Sequence, residues 1–433
     1  MEQCVGRIIF GSAVVMCCPV VGALAGEPGT ATPDQDRAYL AELVADAQDR
    51  TSLSAADAGH DGTFHIQSAS GDYRLNIQGQ IQFRYNANFR DSKNEKAASS
   101  GFDDFEHGFQ TRRTKLFFSG NILNEKWTYL IVGDFGENDT AFSGGGAFTL
   151  REAIVHYAFD NGVGIGWGQV RVPNNREEMV DSRYQLAADR SVVNEVFNAD
   201  LAQGVWLDYN SDAWRGWVAF DDGAATGNTD FTSAAEADYA FIARAEWKFA
   251  GDWERFNDFT SWRGSEYAGM LGGSIHFQQS PNTNRGTDTD FNLLQYTVDV
   301  SVEGDGWNFF AAFIGRHITS RSGGADGPDI DDFGVVVQGG IFVTDDLELF
   351  ARYDGVFSDD SRAGNDDFNT VTVGGNYYFI PQSHAAKLTA DVQVFLDEPM
   401  KTDIVTTSNT GVGLLSDVTD SQVALRLQFQ LLF

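Results

Sequence analysis

The chain has 433 residues, rich in glycine (46) and phenylalanine (34), poor in proline (8), with a formal charge of −32 at pH 7. That charge excludes nucleic acid as a partner and argues against a basic membrane-surface binder. No apolar run reaches the roughly 18 residues of a membrane-crossing helix, but a transmembrane barrel passes that filter because its strands alternate, and the length admits one large barrel or two to three smaller domains.

The amino terminus reads as a secretory signal over residues 1–25. Arg7 precedes an apolar run from Ile8 to Val21, and Ala23-Leu24-Ala25 supplies a small-x-small cleavage site. Cys4, Cys17 and Cys18, the chain's only cysteines, fall inside it. The mature chain therefore needs neither disulfides nor a thiol nucleophile. Residues 26–71 read as a periplasmic leader. A short helix is expected within Asp36 to Arg50, with Tyr39, Leu40, Leu43 and Val44 on one side, and a brief strand at Thr63 to Gln67. A barrel domain is expected over 72–433.

From Tyr73 to Tyr85 the pattern alternates without a break. Leu75, Ile77, Gly79, Ile81, Phe83 and Tyr85 share one face, and Asn76, Gln78, Gln80, Gln82 and Arg84 the other. Soluble sandwiches rarely make strands this long, whereas tilted barrel strands need about 9–11 residues or more. A polar loop (91–108) leads to a second strand, Phe109 to Ile122, with Arg112, Arg113 and Lys115 among Leu116 and Phe118. Short turns follow near Asn124-Glu125, 160–162, 210–212, 303–306, 344–346 and 381–383. Long loops lie near 91–108, 137–146, 173–199, 223–238, 280–291, 319–331, 358–367 and 398–420. One connection, Ala250 to Gly264, is long where a short turn is due. Alternating loop lengths predict an all-β, transmembrane, antiparallel up-and-down barrel of about 16 strands. Trp127, Trp214, Trp247, Trp307, Phe159 and Phe379 sit at strand ends beside the short connections, as an interfacial aromatic girdle requires. The last strand, Gln422 to Phe433, alternates again and ends on an aromatic residue. An even strand count places Phe433 on the periplasmic side, paired with the first strand and positioned to be read by the barrel-assembly machinery.

Three stretches carry a resemblance: Leu75 to Gln82, Arg112 to Gly120, and Gly166 to Pro173, followed by a long third loop with Ser182-Arg183 and Asp189-Arg190-Ser191 before Gln203 to Trp206. Their order and spacing resemble the phosphate-selective porin O and P family of Gram-negative outer membranes, from about residue 63 to the end. The resemblance implies a 16-stranded, homotrimeric outer-membrane porin, a passive channel for small hydrophilic solutes, phosphate or other anions among them. It also implies a third loop (173–199) folded inward to narrow the pore.

A barrel of this size leaves an aqueous channel, and charges on its constriction set selectivity. Strand phase points Arg84, Arg113, Lys115 and Arg171 into the lumen, and the third loop adds Arg176, Arg183 and Arg190. Guanidinium groups suit phosphate and carboxylate through paired hydrogen bonds. Two readings stay open: a dedicated anion site, or cations balanced by Asp134, Glu152, Glu177, Glu178 and Asp181 in a transverse field. Later strands add Asp299, Glu303, Glu348, Asp354 and Asp391 against Arg244, Lys248, Arg316, Arg352 and Lys387, so phosphate specificity does not follow from fold. Charge is uneven as well: residues 72–200 carry 14 Lys+Arg and 18 Asp+Glu, and 201–433 carry 13 and 35.

The acidic loop clusters at Asp329 to Asp332, Asp359-Asp360, Asp366-Asp367, Asp288 and Asp290 have two readings, Ca²⁺ binding or divalent-cation bridging to lipopolysaccharide, and a solvated acidic surface; the second is expected, because no run has the spacing of a calcium loop. No cofactor or metal is expected. Catalysis is not expected either, since the seven histidines lack a nucleophile motif. Ser143 to Gly146 has glycines but no following helix, and reads as a loop tip. A structural or adhesive barrel with a plugged lumen is the alternative.

Overall fold

In hydrocarbon every backbone N–H and C=O must find a partner within the protein, and alternating strands achieve that only by closing on themselves. The computed structural model describes residues 57–90, 104–135, 148–233, 235–281, 289–322, 325–405, 411–417 and 420–433. The expected signal and leader helix, and the loop tip at 143–146, lie outside these residues. The strands are β1 (Asp57–His60), β2 (Phe64–Gln67), β3 (Arg74–Phe89), β4 (Phe105–Ile122), β5 (Asn124–Asp134), β6 (Thr149–Ala158), β7 (Val163–Arg171), β8 (Leu201–Asn210), β9 (Trp214–Asp221) and β10 (Ala237–Ala250). They continue with β11 (Ala268–Pro281), β12 (Thr289–Gly304), β13 (Trp307–Ser322), the two-residue β14 (Ala325–Asp326), β15 (Ile330–Phe342), β16 (Leu347–Phe357), β17 (Phe368–Tyr378), β18 (Ala386–Phe395) and β19 (Gln422–Leu432). Setting aside the β1–β2 hairpin and β14, 16 strands pair antiparallel with their neighbours, and β19 pairs with β3 to close the cylinder.

Alternation decides which side chains meet lipid. On β3, Ile81, Phe83 and Phe89 are exposed on the outer face while Gln80, Gln82, Arg84 and Asn88 are buried within. A bulge interrupts this phase on β4: Gln82 pairs with Arg113 but Phe83 with Thr111, leaving Arg112 as the extra residue. Both Arg112 and Arg113 are consequently turned inward and buried. Outward aromatics pair across strands at the periplasmic rim, with Trp127 against Tyr157 (4.8 Å between ring centroids), Trp214 against Trp247 (6.1 Å) and Phe379 against Phe429 (6.0 Å). At the carboxy terminus, Phe433 and Gly79 exchange backbone hydrogen bonds of 2.7 and 3.1 Å. The Phe433 ring occupies the space a Cβ at Gly79 would need, its Cζ lying 2.1 Å from that position. Next to β3 beyond this point, β2 continues the edge by pairing Phe64 with Ile77 through Gln67 with Arg74.

Two segments fold into the barrel. The third long loop, 172–200, contains two short helices, α1 (Arg176–Met179) and α2 (Val192–Phe197). Val180, Leu186, Val193 and Phe197 of this loop pack on inward apolar residues of β13 to β18, including Phe310, Ile314, Phe350 and Phe395. The irregular long connection after β10, residues 251–267, brings Phe259 into the same cluster. Its Phe259 N–H donates to Tyr184 O at 3.3 Å. Further along, Trp262 lies against Tyr378, with ring centroids 4.7 Å apart.

Candidate functional site

The inward loop gets its shape from its own caps. The Asn175 side chain accepts from Glu177 N–H at 3.2 Å, Asp181 Oδ1 from Arg183 N–H at 3.0 Å, and Ser191 Oγ from Asn194 N–H at 2.9 Å. Arg190 ties the turns together by donating to the carbonyls of Glu177 (3.0 Å), Glu178 (3.2 Å) and Val180 (2.9 Å).

The loop is fixed to the wall through one carboxylate. Asp189 Oδ2 accepts from Arg84 Nη2 at 3.0 Å and from Arg112 Nε at 2.8 Å, and its Oδ1 accepts from Arg113 Nη2 at 2.9 Å. Burial alone would raise the Asp189 carboxyl, but Arg112, Arg113 and Arg84 outweigh it and hold it well below the usual carboxylate range. Arg84 is fully buried and also donates to Ala188 O and Gly411 O, each at 2.6 Å, and to Gln428 Oε1 at 3.0 Å. Further anchors come from Gln82 Nε2 to Ser182 O (3.1 Å), Gln430 Nε2 to Arg183 O (3.0 Å), Lys387 Nζ to Gln185 O (2.9 Å) and Ala188 N–H to Asp391 Oδ2 (2.9 Å).

Beside the docked loop a cavity of about 370 Å³ remains along the inner faces of β4 to β9. Its apolar lining includes Val132, Val170, Trp206, Trp217 and Ala219, and its charged lining comprises Glu152, Arg171, Asp181, Arg183 and Asp221. Arg171 bridges Glu152 (3.0 Å) and Asp181 (3.1 Å), and Arg183 shares Asp181 at 2.9 Å while lying 4.0 Å above the Phe117 ring. Burial would raise Asp181, yet Arg183, Arg171 and Lys115 hold it well below its ordinary value.

The seven basic residues predicted from sequence thus occupy four environments. Arg84 and Arg113 clasp Asp189, while Arg171 and Arg183 form the ion-pair ladder on the cavity. Of the two that hold the loop's backbone in place, Arg190 is bound to carbonyls of the loop itself, whereas Arg176 reaches outside it, donating to Ser301 Oγ on β12 (2.8 Å) and to Phe256 O in the 251–267 connection (2.9 Å). Lys115, buried on β4, has no hydrogen bond or close ion pair among the described residues, although Arg171, Asp181, Arg113 and Asp134 act on it at longer range. Sequence reasoning passed over Arg112, whose inward turn depends on the bulge, and Asp189 as the anchor. Two adjacent arginines in an alternating strand were the available signal, since one of them would otherwise face lipid.

Toward the extracellular side, Glu195 on α2 is exposed to the lumen and borders a second cavity with Arg316, Arg362 and Asp403. Desolvation by the surrounding loop and wall, reinforced by the nearby Asp189 charge, raises its carboxyl, and the opening to the lumen moderates that rise. Asp332, expected as part of a solvated acidic surface, is instead buried between Arg316 and Arg362. The inner-face pairs of the later strands are closely matched, with Arg426 bidentate on Asp391 (2.7 and 3.0 Å) and Arg244 on Glu246 (2.7 Å) and Asp299 (2.8 Å).

A family model described as phosphate-selective porin O and P matches residues 76–431. Among solved structures, the anion-selective porin from Comamonas acidovorans superposes with a TM-score of 0.54 at 13% identity, covering 83% of this chain and 99% of that one. The outer membrane channel DcaP of Acinetobacter baumannii gives 0.53 at 14% identity over 82% and 96%. OmpT of Vibrio cholerae in its trimer form gives 0.51 at 13% identity over 83% and 99%. At these identities the likeness is one of fold. No match is found among proteins of curated function.

Proposed function

The chain belongs to the phosphate-selective porin O and P family, and from that premise we propose how this outer-membrane porin selects what it passes. The protein is a channel of the Gram-negative outer membrane, and its family and fold point to a non-enzymatic role. The reading is passive diffusion of small hydrophilic solutes, phosphate and other small anions among them, through the lane between the third loop and β4 to β9. One observation carries it: Asp189 holds the loop against the wall through three arginines, so the lumen is narrowed to one side. In this reading Arg84, Arg113, Arg176 and Arg190 shape the constriction by fixing the loop, Arg171 and Arg183 border the passing solute, and Lys115 supplies the cation not matched by a close carboxylate. Selectivity for anions is then modest, because most lumenal cations are paired.

Three copies assembling as a homotrimer, a signal at 1–25, a leader at 26–71 and recognition of the Phe433 strand by the assembly machinery complete the proposal, with lipid and lipopolysaccharide as surroundings. Planar-bilayer recording tests it. Open-channel steps in KCl are expected, with a reversal potential in a salt gradient of the sign for anion preference. A cation-selective reversal potential would refute the anion part. A folded protein without conductance steps would favour a plugged structural barrel.

A further inference from the structure

We propose that the lumenal cavity holds a subsite for organic ammonium solutes with an apolar body, formed by Asp221, Trp206 and Trp217. The proposal deepens the channel reading above, on which it rests only for solute access. Four of the five charged groups on the cavity satisfy one another, Glu152 and Asp181 being bridged by Arg171 and Arg183. Asp221 is different. It is 6% exposed, and its carboxylate accepts one hydrogen bond, from Gly223 N–H at 2.8 Å, with no cation paired to it among the described residues. A buried carboxylate without a counter-charge is costly unless a partner arrives.

The surroundings define that partner. Trp206 and Trp217 alternate inward on β8 and β9 and line the same cavity as Asp221, with Ala219 between Trp217 and Asp221 on one strand face. Gly204 leaves the space beside Asp221, since a Cβ there would lie 2.7 Å from Asp221 Cβ. Indole faces attract cations, most strongly once water is displaced, and the cavity volume of about 370 Å³ suits a small organic molecule. Hydrated metal ions gain little from valine, alanine and indole walls, because these supply no oxygen ligands. Asp221 offers phosphate in transit no binding contact at this point of the lane. A primary ammonium carried on an aromatic or aliphatic body matches both the carboxylate and the rings.

Calorimetric titration of the folded, detergent-solubilised protein with phenethylammonium tests this directly. Saturable binding is expected, with the charge-reversed 3-phenylpropionate bound at least tenfold more weakly. Asp221→Asn, with folding verified by heat-modifiable migration, should weaken phenethylammonium binding at least tenfold, and Trp217→Ala should weaken it several-fold. Wild-type affinity in Asp221→Asn, or equal affinity for 3-phenylpropionate, would overturn the subsite. Calorimetry needs no conduction, so a protein that binds phenethylammonium yet gives no open-channel steps keeps the subsite and fails the channel reading.

Discussion

Asp189→Asn removes the charge at the centre of the Arg84, Arg112 and Arg113 cluster while keeping the side chain's size. Breaking a buried ion pair from one side costs about 3–5 kcal/mol. The lower end applies here, because Arg84 keeps Gln428 and two carbonyls and Arg113 keeps Gln82 Oε1 at 3.0 Å. A loss of about 3 kcal/mol shifts the docked-to-undocked ratio of the third loop by about two orders of magnitude. The strand ladders do not involve Asp189, so the yield of folded, heat-modifiable barrel should be unchanged. Single-channel records should show larger and noisier open currents, and the reversal potential should move toward anions because a negative charge has left the lumen. Arg112→Gln leaves Asp189 two guanidinium partners, so its effect should be smaller, about 1.5–3 kcal/mol for the lost charged hydrogen bond. Wild-type amplitude and noise in Asp189→Asn would refute the anchoring role.

Lys115→Gln should lower the anion-to-cation permeability ratio several-fold, read from reversal potentials; an unchanged ratio would remove Lys115 from the selective set. Glu195 has its carboxyl raised above the ordinary value in the folded protein, so on acidification it loses its charge before an ordinary carboxylate does. Lowering pH from 8 to 6 should therefore shift selectivity toward anions, and Glu195→Gln should flatten that step. Gly79→Val places side-chain atoms where the Phe433 ring lies, and should reduce assembly of folded barrel in the membrane much as deleting Phe433 would. Equal yields of heat-modifiable protein from both variants and wild type would argue against the terminal ring's role.

The barrel was legible in the sequence because lipid and lumen impose a period of two that soluble folding does not require over so many segments. Strand number, the alternation of short and long connections, and the pairing of the last strand with the first all followed from that period and from the aromatic rim. What the period could not show was where it breaks. The bulge at Arg112 changes the face of every residue after it, so the phase of Arg113 and Lys115 was readable only from the periplasmic end of β4. The internal filling left a weaker mark. On β13, Phe309 and Phe313 face lipid while Phe310 and Ile314 are buried inside, and a strand apolar on both faces signals that something covers its inner side. The overlong connection at 251–267 was visible by length, but its inward course depends on contacts with residues far away in sequence, such as Tyr184 and Tyr378. Arginines likewise announced their charge but not their partners, since Asp189 lies 105 positions from Arg84 and 77 from Arg112.

The third loop, drawn from the middle of the chain, is fastened to both of its ends: Gln82, Arg84 and Arg113 come from the first barrel strands, and Lys387, Asp391, Gln428 and Gln430 belong to the last two or contact it through them. Those ends meet at the seam where β19 pairs with β3. The loop therefore works as a buckle whose two straps exist together only in the finished cylinder, and an intermediate that is still open along β19 has a wide, unlatched throat. Narrowing of the pore is in this way conditional on a closed wall, because the latch spans the seam.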